Sequence, residues 1–306
     1  MRDFFLSLGA RFEPSDGAPA WWQPTMPLAF GELAAELAAA RSGKAIADGS
    51  LFAALAMSGP DRHEFLNRLL TNAVPTRAGE SCQAYYLSVS GRPLVQFFVL
   101  EQADRTLLIC PATQREAAFA ELDKMHFGEK LRLQPLPISP VVVFGKASFP
   151  YFGCPHELVL ESDEAFWRER LADGAVPIGA LALEVLRIEA GTPTPADYGE
   201  KTLFLEIANR DCYSEIKGCY PGQEVVARTL HRGHINRHLE PLKAASTAAH
   251  GTKLLLAEKE VGWISSSALG PEGAVLLGYL RREVWKPGTE LVLASSRETA
   301  VVVETK

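Results

Sequence analysis

At 306 residues the chain is too long for one small core, and two or three domains is the natural expectation. Its composition, 47% hydrophobic and 22% charged, is that of a globular protein and excludes large-scale disorder. A formal net charge of -6 excludes whole-surface attraction to nucleic acid or anionic lipid, but it leaves room for a local basic patch.

Met1 to Ala10 lacks the apolar core of a secretory signal, and no stretch approaches the roughly 18 apolar residues of a membrane span. The expectation is a cytoplasmic protein with neither membrane nor direct nucleic-acid partners. Five scattered cysteines (Cys82, Cys110, Cys154, Cys212, Cys219) do not form a disulfide framework, and a reducing compartment fits them. No C-x-x-C is present, which argues against a zinc ribbon or a thioredoxin-type site.

In chain order, Arg11 to Pro27 is rich in Pro and Gly and reads as a loop, with Trp21 and Trp22 packing on the domain surface. Leu33 to Ala40 reads as a short helix, and Ile46 to Met57 as strand material ended by Gly59-Pro60. Asp61 with Glu64 resembles a capping box before a helix whose apolar face is Phe65, Leu66, Leu69 and Leu70. Strands follow at Tyr85 to Val89, Leu94 to Leu100 and Leu107 to Cys110. Thr113 with Glu116 opens a further helix, through about Phe127. This order predicts an α+β layer with a mostly antiparallel sheet.

The proline-rich stretch Gln134 to Pro140 marks a boundary. Beyond it come strands at Val141 to Phe144 and Glu157 to Leu160, a helix over about Asp163 to Leu171, and an amphipathic helix over Leu181 to Glu189 that stops at Gly191. After Lys243, short apolar runs at 254–256, 261–264, 275–279, 291–293 and 301–303 alternate with turns, which predicts a small β-barrel.

The chemistry points to Lys217-Gly218-Cys219-Tyr220-Pro221-Gly222-Gln223-Glu224. Pro221 suits the first position of a helix, which would set Cys219 just ahead of a helix N-terminus and beside Lys217. A helix dipole and a nearby ammonium both stabilise a thiolate, so Cys219 and Lys217 are the candidate reactive pair. A lone cysteine is, even so, more often an inert core residue.

That string, followed by Ala227-Arg228, resembles the signature of the YgfZ-type folate-binding proteins, in the superfamily of the glycine-cleavage T protein, the aminomethyltransferase. Further stretches are similar in order: Thr71-Asn72 after the Phe65-Leu66 helix, Gly79, Tyr85 to Arg92, Leu186 to Gly191, Leu205-Glu206 with Asn209, and Gly233 to Arg237.

The resemblance implies a three-domain ring of the aminomethyltransferase type around a central opening, with mixed and antiparallel sheets, helices and a small C-terminal β-barrel. It divides the chain into a discontinuous folate-binding domain (1–48 and 137–240), a second α+β domain (49–136) and the barrel (241–306). The ligand it implies is tetrahydrofolate or a derivative, held by Glu189, Arg228, Tyr220 and Gln223, with Cys219 and Lys217 reactive and no metal. Glu189 matches a glutamate that bonds the pterin.

The implied role is accessory: support of iron–sulfur cluster assembly or maintenance, with cluster client proteins as partners, a link to tRNA modification, and a monomeric state. The rival is a folate-dependent aminomethyl transferase. Gln96 stands where the transferase branch has an acidic residue, and Gln can neither neutralise a cation nor act as a base. Two further readings compete: a metal protein using His231, His234 and His238, disfavoured because Gly233 interrupts the helix, and an interaction module without ligand.

Overall fold

The computed structural model describes residues 1–14, 17–146 and 151–304. It divides into two compact units, one built from Met1–Ser50, Ser139–Asp197 and Asn236–Lys306, the other from Leu51–Ile138 and Tyr198–Ile235.

In the first unit a four-stranded sheet runs in the order His156–Val159, Val141–Phe144, Ala45–Asp48, Val176–Ile178. Only the last pairing is parallel. An aromatic cluster supports it: Phe5 meets Trp167 edge-on with centroids 4.9 Å apart, beside Phe4, Phe12 and Ile46. The helix Leu33–Arg41 is fixed at its start by the buried Glu36, whose carboxylate accepts from the backbone N–H of Phe30, Gly31 and Gly179 at 2.7–2.8 Å. Three donors on one carboxylate make its burial tolerable.

The same unit contains a closed six-stranded barrel: Arg237–Ala244, Gly273–Arg281, Lys259–Gly270, Lys253–Leu256, Glu290–Leu293 and Thr299–Val302, the last pairing back to the first. Its interior is Leu242, Leu254, Ile264, Leu276, Leu280 and Leu291 with their neighbours. Closure leaves no open sheet edge.

The second unit is a five-stranded antiparallel sheet, ordered Ser81–Leu87, Pro93–Glu101, Arg105–Pro111, Phe52–Ser58, Arg132–Leu136. Strand alternation gives it two distinct faces. Val95, Phe97 and Val99 pack with Phe65, Leu66 and Leu69 of the helix Arg62–Leu69, and with Ala118 and Leu122 of the helix Arg115–Lys124. Each such side chain contributes about 1.5–3 kcal/mol by leaving water. Tyr85, Gln96 and Phe98 alternate onto the other face, where Phe204 lies 5.2 Å from Tyr85.

The Lys217–Glu224 segment falls in the unit of Leu51–Ile138, and the barrel falls in the unit of the first sheet. Three expectations are corrected. The strand material of 46–57 is two strands, Ala45–Asp48 and Phe52–Ser58, separated at Gly49-Ser50 and assigned to different units. Thr113 lies inside a 3-10 turn (Ala112–Gln114) and caps nothing. The barrel gains a strand, Arg237–Ala244, whose mixed sequence hid it.

Candidate functional site

The segment before Lys217 is fastened to the second unit's sheet by Thr71 and Asn72, which follow the helix Arg62–Leu69. Thr71 is buried; its Oγ1 donates to the Cys212 carbonyl (2.7 Å) and accepts from the Tyr85 N–H (2.8 Å). Asn72 Nδ2 donates to the carbonyls of Gln83 (2.9 Å) and Asp211 (2.7 Å). The Thr-Asn pair is therefore a clasp between a strand and the loop that delivers Lys217.

Lys217 is half-buried, donates from Nζ to the Asn67 carbonyl, and places Nζ 4.8 Å from the centroid of the Tyr220 ring. Burial lowers its pKa to about 8, against the upward pull of Cys219 and Cys82. Tyr220 is buried, and burial pushes its phenol up to about 12, with Tyr213 and Glu215 adding to the rise.

Cys219 is the exposed cysteine, whereas burial pushes Cys212, Cys82 and Cys110 up to about 12. Cys212 Sγ contacts Gln83 Oε1 (3.1 Å) and Asn209 Oδ1 (3.0 Å). Cys219 is thus exposed and two residues from the half-buried Lys217.

The helix Gln223–Arg232 begins two residues later than expected: Gly222 is its N-cap, in the left-handed region at φ +79°, and Pro221 stands outside the helix. A side chain at Gly222 would put its Cβ 2.5 Å from the Ser88 carbonyl oxygen and 3.0 Å from Gly91 Cα. Gly91 in turn faces Val225, and its carbonyl accepts from the Phe204 N–H at 2.9 Å. The two glycines thus let the Ser88–Gly91 turn and the start of the helix meet at backbone distance. Gln223 is half-buried at the helix start, and Arg228 is exposed and paired with Glu224 at 2.7 Å.

Gln96, in the strand Pro93–Glu101, is 6% exposed. Its backbone N–H donates to Gln114 Oε1 (3.1 Å), and Gln114 Nε2 donates to the Leu94 carbonyl (3.0 Å) and the Tyr198 hydroxyl (3.1 Å). The side-chain Oε1 of Gln96 is buried without a hydrogen-bond partner. The buried carboxylate of this strand, Glu101, is committed elsewhere: Arg62 (2.7 Å), His63 (2.9 Å) and Thr106 (2.5 Å) hold it.

Glu189 belongs to the first unit and ends the helix Ala180–Glu189, where Arg41 Nη2 contacts both its oxygens at 2.8 and 2.9 Å. It borders two small clefts, of about 150 and 220 Å3, with Lys243 and Val275 on both. Lys217, Cys219, Tyr220, Gln223 and Arg228 share one stretch of the second unit, whose sheet also carries Gln96.

Sequence reasoning missed a buried ionic network in the first unit. Arg187 donates to Glu184 Oε2 (2.6 Å), Asp197 Oδ2 (3.0 Å), the Thr192 carbonyl (3.1 Å) and Ser266 Oγ (2.8 Å). Trp21 Nε1 donates to Glu184 (2.6 Å), so Trp21 packs inward while Trp22 bonds the Met26 carbonyl. A register shift between Ile264 and Ser266 brings Ser265 and Ser266 to Asp197 Oδ1, at 2.7 and 2.5 Å. The available signal was Glu184 and Arg187, one turn apart in an otherwise apolar helix.

The GCVT N-terminal domain model matches residues 1–138. A putative chloroplastic transferase of Arabidopsis thaliana is 25% identical, aligned over 82% of this chain and 68% of its own. The tRNA-modifying protein YgfZ of Yersinia enterocolitica is 33% identical over 49% of this chain, which spans about half (46%) of that relative. The glycine cleavage system aminomethyltransferase T of Bartonella henselae superposes with a TM-score of 0.82 at 22% identity, covering 99% of this chain and 95% of that one, which shows the fold. The resemblance read from the signature agrees with these comparisons: the chain is similar to YgfZ-type proteins over about half its length and has the fold of the glycine-cleavage T protein.

Proposed function

We propose that this chain binds a tetrahydrofolate-type ligand and serves as an accessory protein in iron–sulfur cluster assembly or maintenance, not as an aminomethyltransferase. The observation that carries the reading is Gln96. Its buried, unpartnered Oε1 fits a ligand rich in N–H groups, such as a reduced pterin, because an unpaired buried acceptor costs about 1–3 kcal/mol until a donor arrives. An amide at this place accepts a hydrogen bond but cannot neutralise a developing cation or take a proton. Glu101, five residues further along the same strand, on its opposite face and held by three partners, is not available as a substitute.

In this reading Glu189, in the first unit, is kept as a folate contact, its carboxylate oriented by Arg41. Tyr220, Gln223 and Arg228 are further contacts, and Lys217 with Cys219 is the reactive pair. Bound folate would supply one-carbon chemistry; the chain's own residues would orient it and present an exposed thiol beside a half-buried amine. Relatives named as tRNA-modifying proteins fit a role exerted through cluster-bearing client enzymes. The protein is taken to act as a cytoplasmic monomer.

The test is a titration with tetrahydrofolate on the wild type, Gln96→Ala and Glu189→Ala, with an assay for methylene-tetrahydrofolate from methylated amines. The wild type is expected to bind, each variant to bind about tenfold more weakly, and no turnover to occur. Robust turnover would overturn the accessory reading, and unchanged affinities would remove these residues from the site.

A further inference from the structure

The outer surface of the barrel carries a groove that the folate reading does not use. Its volume is about 390 Å3, and Asn236, Arg237, Trp263, Tyr279, Arg281 and Glu283 supply its chemistry. That is within the size range of small-molecule sites, roughly 300–1,000 Å3.

Two features of strand register make it unusual. Trp263 and Tyr279 are directly opposed on adjacent strands, and their rings stack with centroids 4.9 Å apart and planes 26° apart. The Arg237 guanidinium lies over both, 4.9 Å from the Trp263 centroid and 5.7 Å from that of Tyr279. Tyr279 is buried and backs the stack, so half-buried Arg237 and Trp263 offer a layered flat surface of the kind on which a heterocycle stacks.

The second feature is electrostatic. Arg237 and Arg281 are themselves opposed across the strand pair, and like charges so placed destabilise a sheet. Arg281 is exposed and makes no ion pair among the described residues. Glu260, which also borders the groove, is taken up by Lys253 at 2.7 Å. Glu283 is the remaining acid there, and together with Asn236 it offers hydrogen bonds to the edge of a ring. An anion beside Arg281 would relieve the opposed arginines.

We propose that this groove binds a single nucleotide, its base stacked on the Arg237–Trp263–Tyr279 layer and its phosphate held by Arg281. The net charge of -6 fits so small a footprint, because a long nucleic-acid track needs a broad basic surface. A free mononucleotide and the terminal residue of an RNA share this chemistry.

The experiment is calorimetric titration of the full chain with AMP, with adenosine, and with a six-nucleotide single-stranded RNA. AMP or the RNA is expected to bind, and adenosine at least tenfold more weakly than AMP. Arg281→Ala and Trp263→Ala should each weaken binding about tenfold, and Arg281→Ala should also flatten the salt dependence by about one phosphate contact. Trp263→Phe keeps a flat ring and should retain most of the affinity, which guards against a misfolded alanine variant. Tetrahydrofolate affinity, measured on every variant, should not change; the nucleotide site and the folate reading therefore stand or fall separately. AMP binding identifies a free nucleotide as a ligand, and binding of the RNA alone identifies a chain end; either supports the site when the variants weaken it. Absence of binding by both AMP and RNA at millimolar concentration overturns the proposal, as does wild-type affinity in Arg281→Ala and Trp263→Ala.

Discussion

Arg187 and Asp197 form an ion pair 3.0 Å long in which the two side chains are 2% and 0% exposed. Burial works against both charges. Glu184 and Asp197 nonetheless raise the guanidinium's pKa, while Arg187, Ser266, the Thr194 N–H and Ser265 hold the Asp197 carboxyl below its ordinary range. Removing one partner strands the other without water, and Asp197→Ala should cost about 3–5 kcal/mol in urea unfolding.

The same pair sets an acid limit. Because the folded pKa of Asp197 is depressed, its contribution is fully present above the unfolded value near 3.9 and is lost as pH falls through the folded value. Wild-type stability should therefore decline more steeply below about pH 4 than that of Asp197→Asn, as read by denaturant midpoints across pH.

Lys217 should stand out among the lysines in amine chemistry. Burial depresses its pKa to about 8, so its neutral amine appears well before that of an exposed lysine near 10.4. Competitive labelling with an activated ester, followed by peptide mass spectrometry, should show half-maximal reactivity near pH 8. The linkage sign follows: between about pH 8 and 10.4 the unfolded chain binds more protons, so this residue's contribution makes stability rise with pH.

Gly222 is irreplaceable for a geometric reason. Its φ of +79° disfavours any Cβ, and the Ser88 carbonyl oxygen already stands 2.5 Å from where one would sit. Gly222→Ala should destabilise the protein by about 2 kcal/mol or more and weaken folate binding with it, measured by urea unfolding and titration.

Gln96→Leu separates stability from binding. It deletes a buried acceptor that has no donor, so the variant should gain about 1 kcal/mol while its tetrahydrofolate affinity falls.

Much of the architecture was legible because periodicity and turn residues act locally. The strands at Ser81–Leu87, Pro93–Glu101 and Arg105–Pro111, and the helix ending at Glu189 before Gly191, lie close to where alternation and glycine placed them. Asp163 caps its helix by accepting from the Phe166 N–H at 2.8 Å, as a capping residue should. Asp61 shows the limit of that logic: it precedes its helix, but its carboxylate accepts from the Lys130 N–H at 2.6 Å instead, a partner far away in sequence.

The site divides in the same way. The closeness of Cys219 to Lys217 was read from one short string, but the cysteine's exposure and the lysine's lowered pKa were not, and the helix start was misplaced because Pro221 fits two positions near an N-terminus and Gly222's left-handed torsion decides between them. The Glu184–Arg187–Asp197 network was out of reach, since a buried ion cluster needs residues from separate stretches and leaves little imprint on any one of them.

The chain crosses between its two units more than once, and this has a consequence for biosynthesis. The strand Ala45–Asp48 pairs with Val141–Phe144 and Val176–Ile178, so it stays unpaired on the ribosome until the whole of Leu51–Ile138 has been made. The five-stranded sheet gains its last strand, Arg132–Leu136, just before Val141–Phe144 is made and well before Val176–Ile178. An emerging polypeptide should therefore acquire protease resistance first in the inserted sheet, with the amino-terminal residues left waiting for partners the ribosome delivers late.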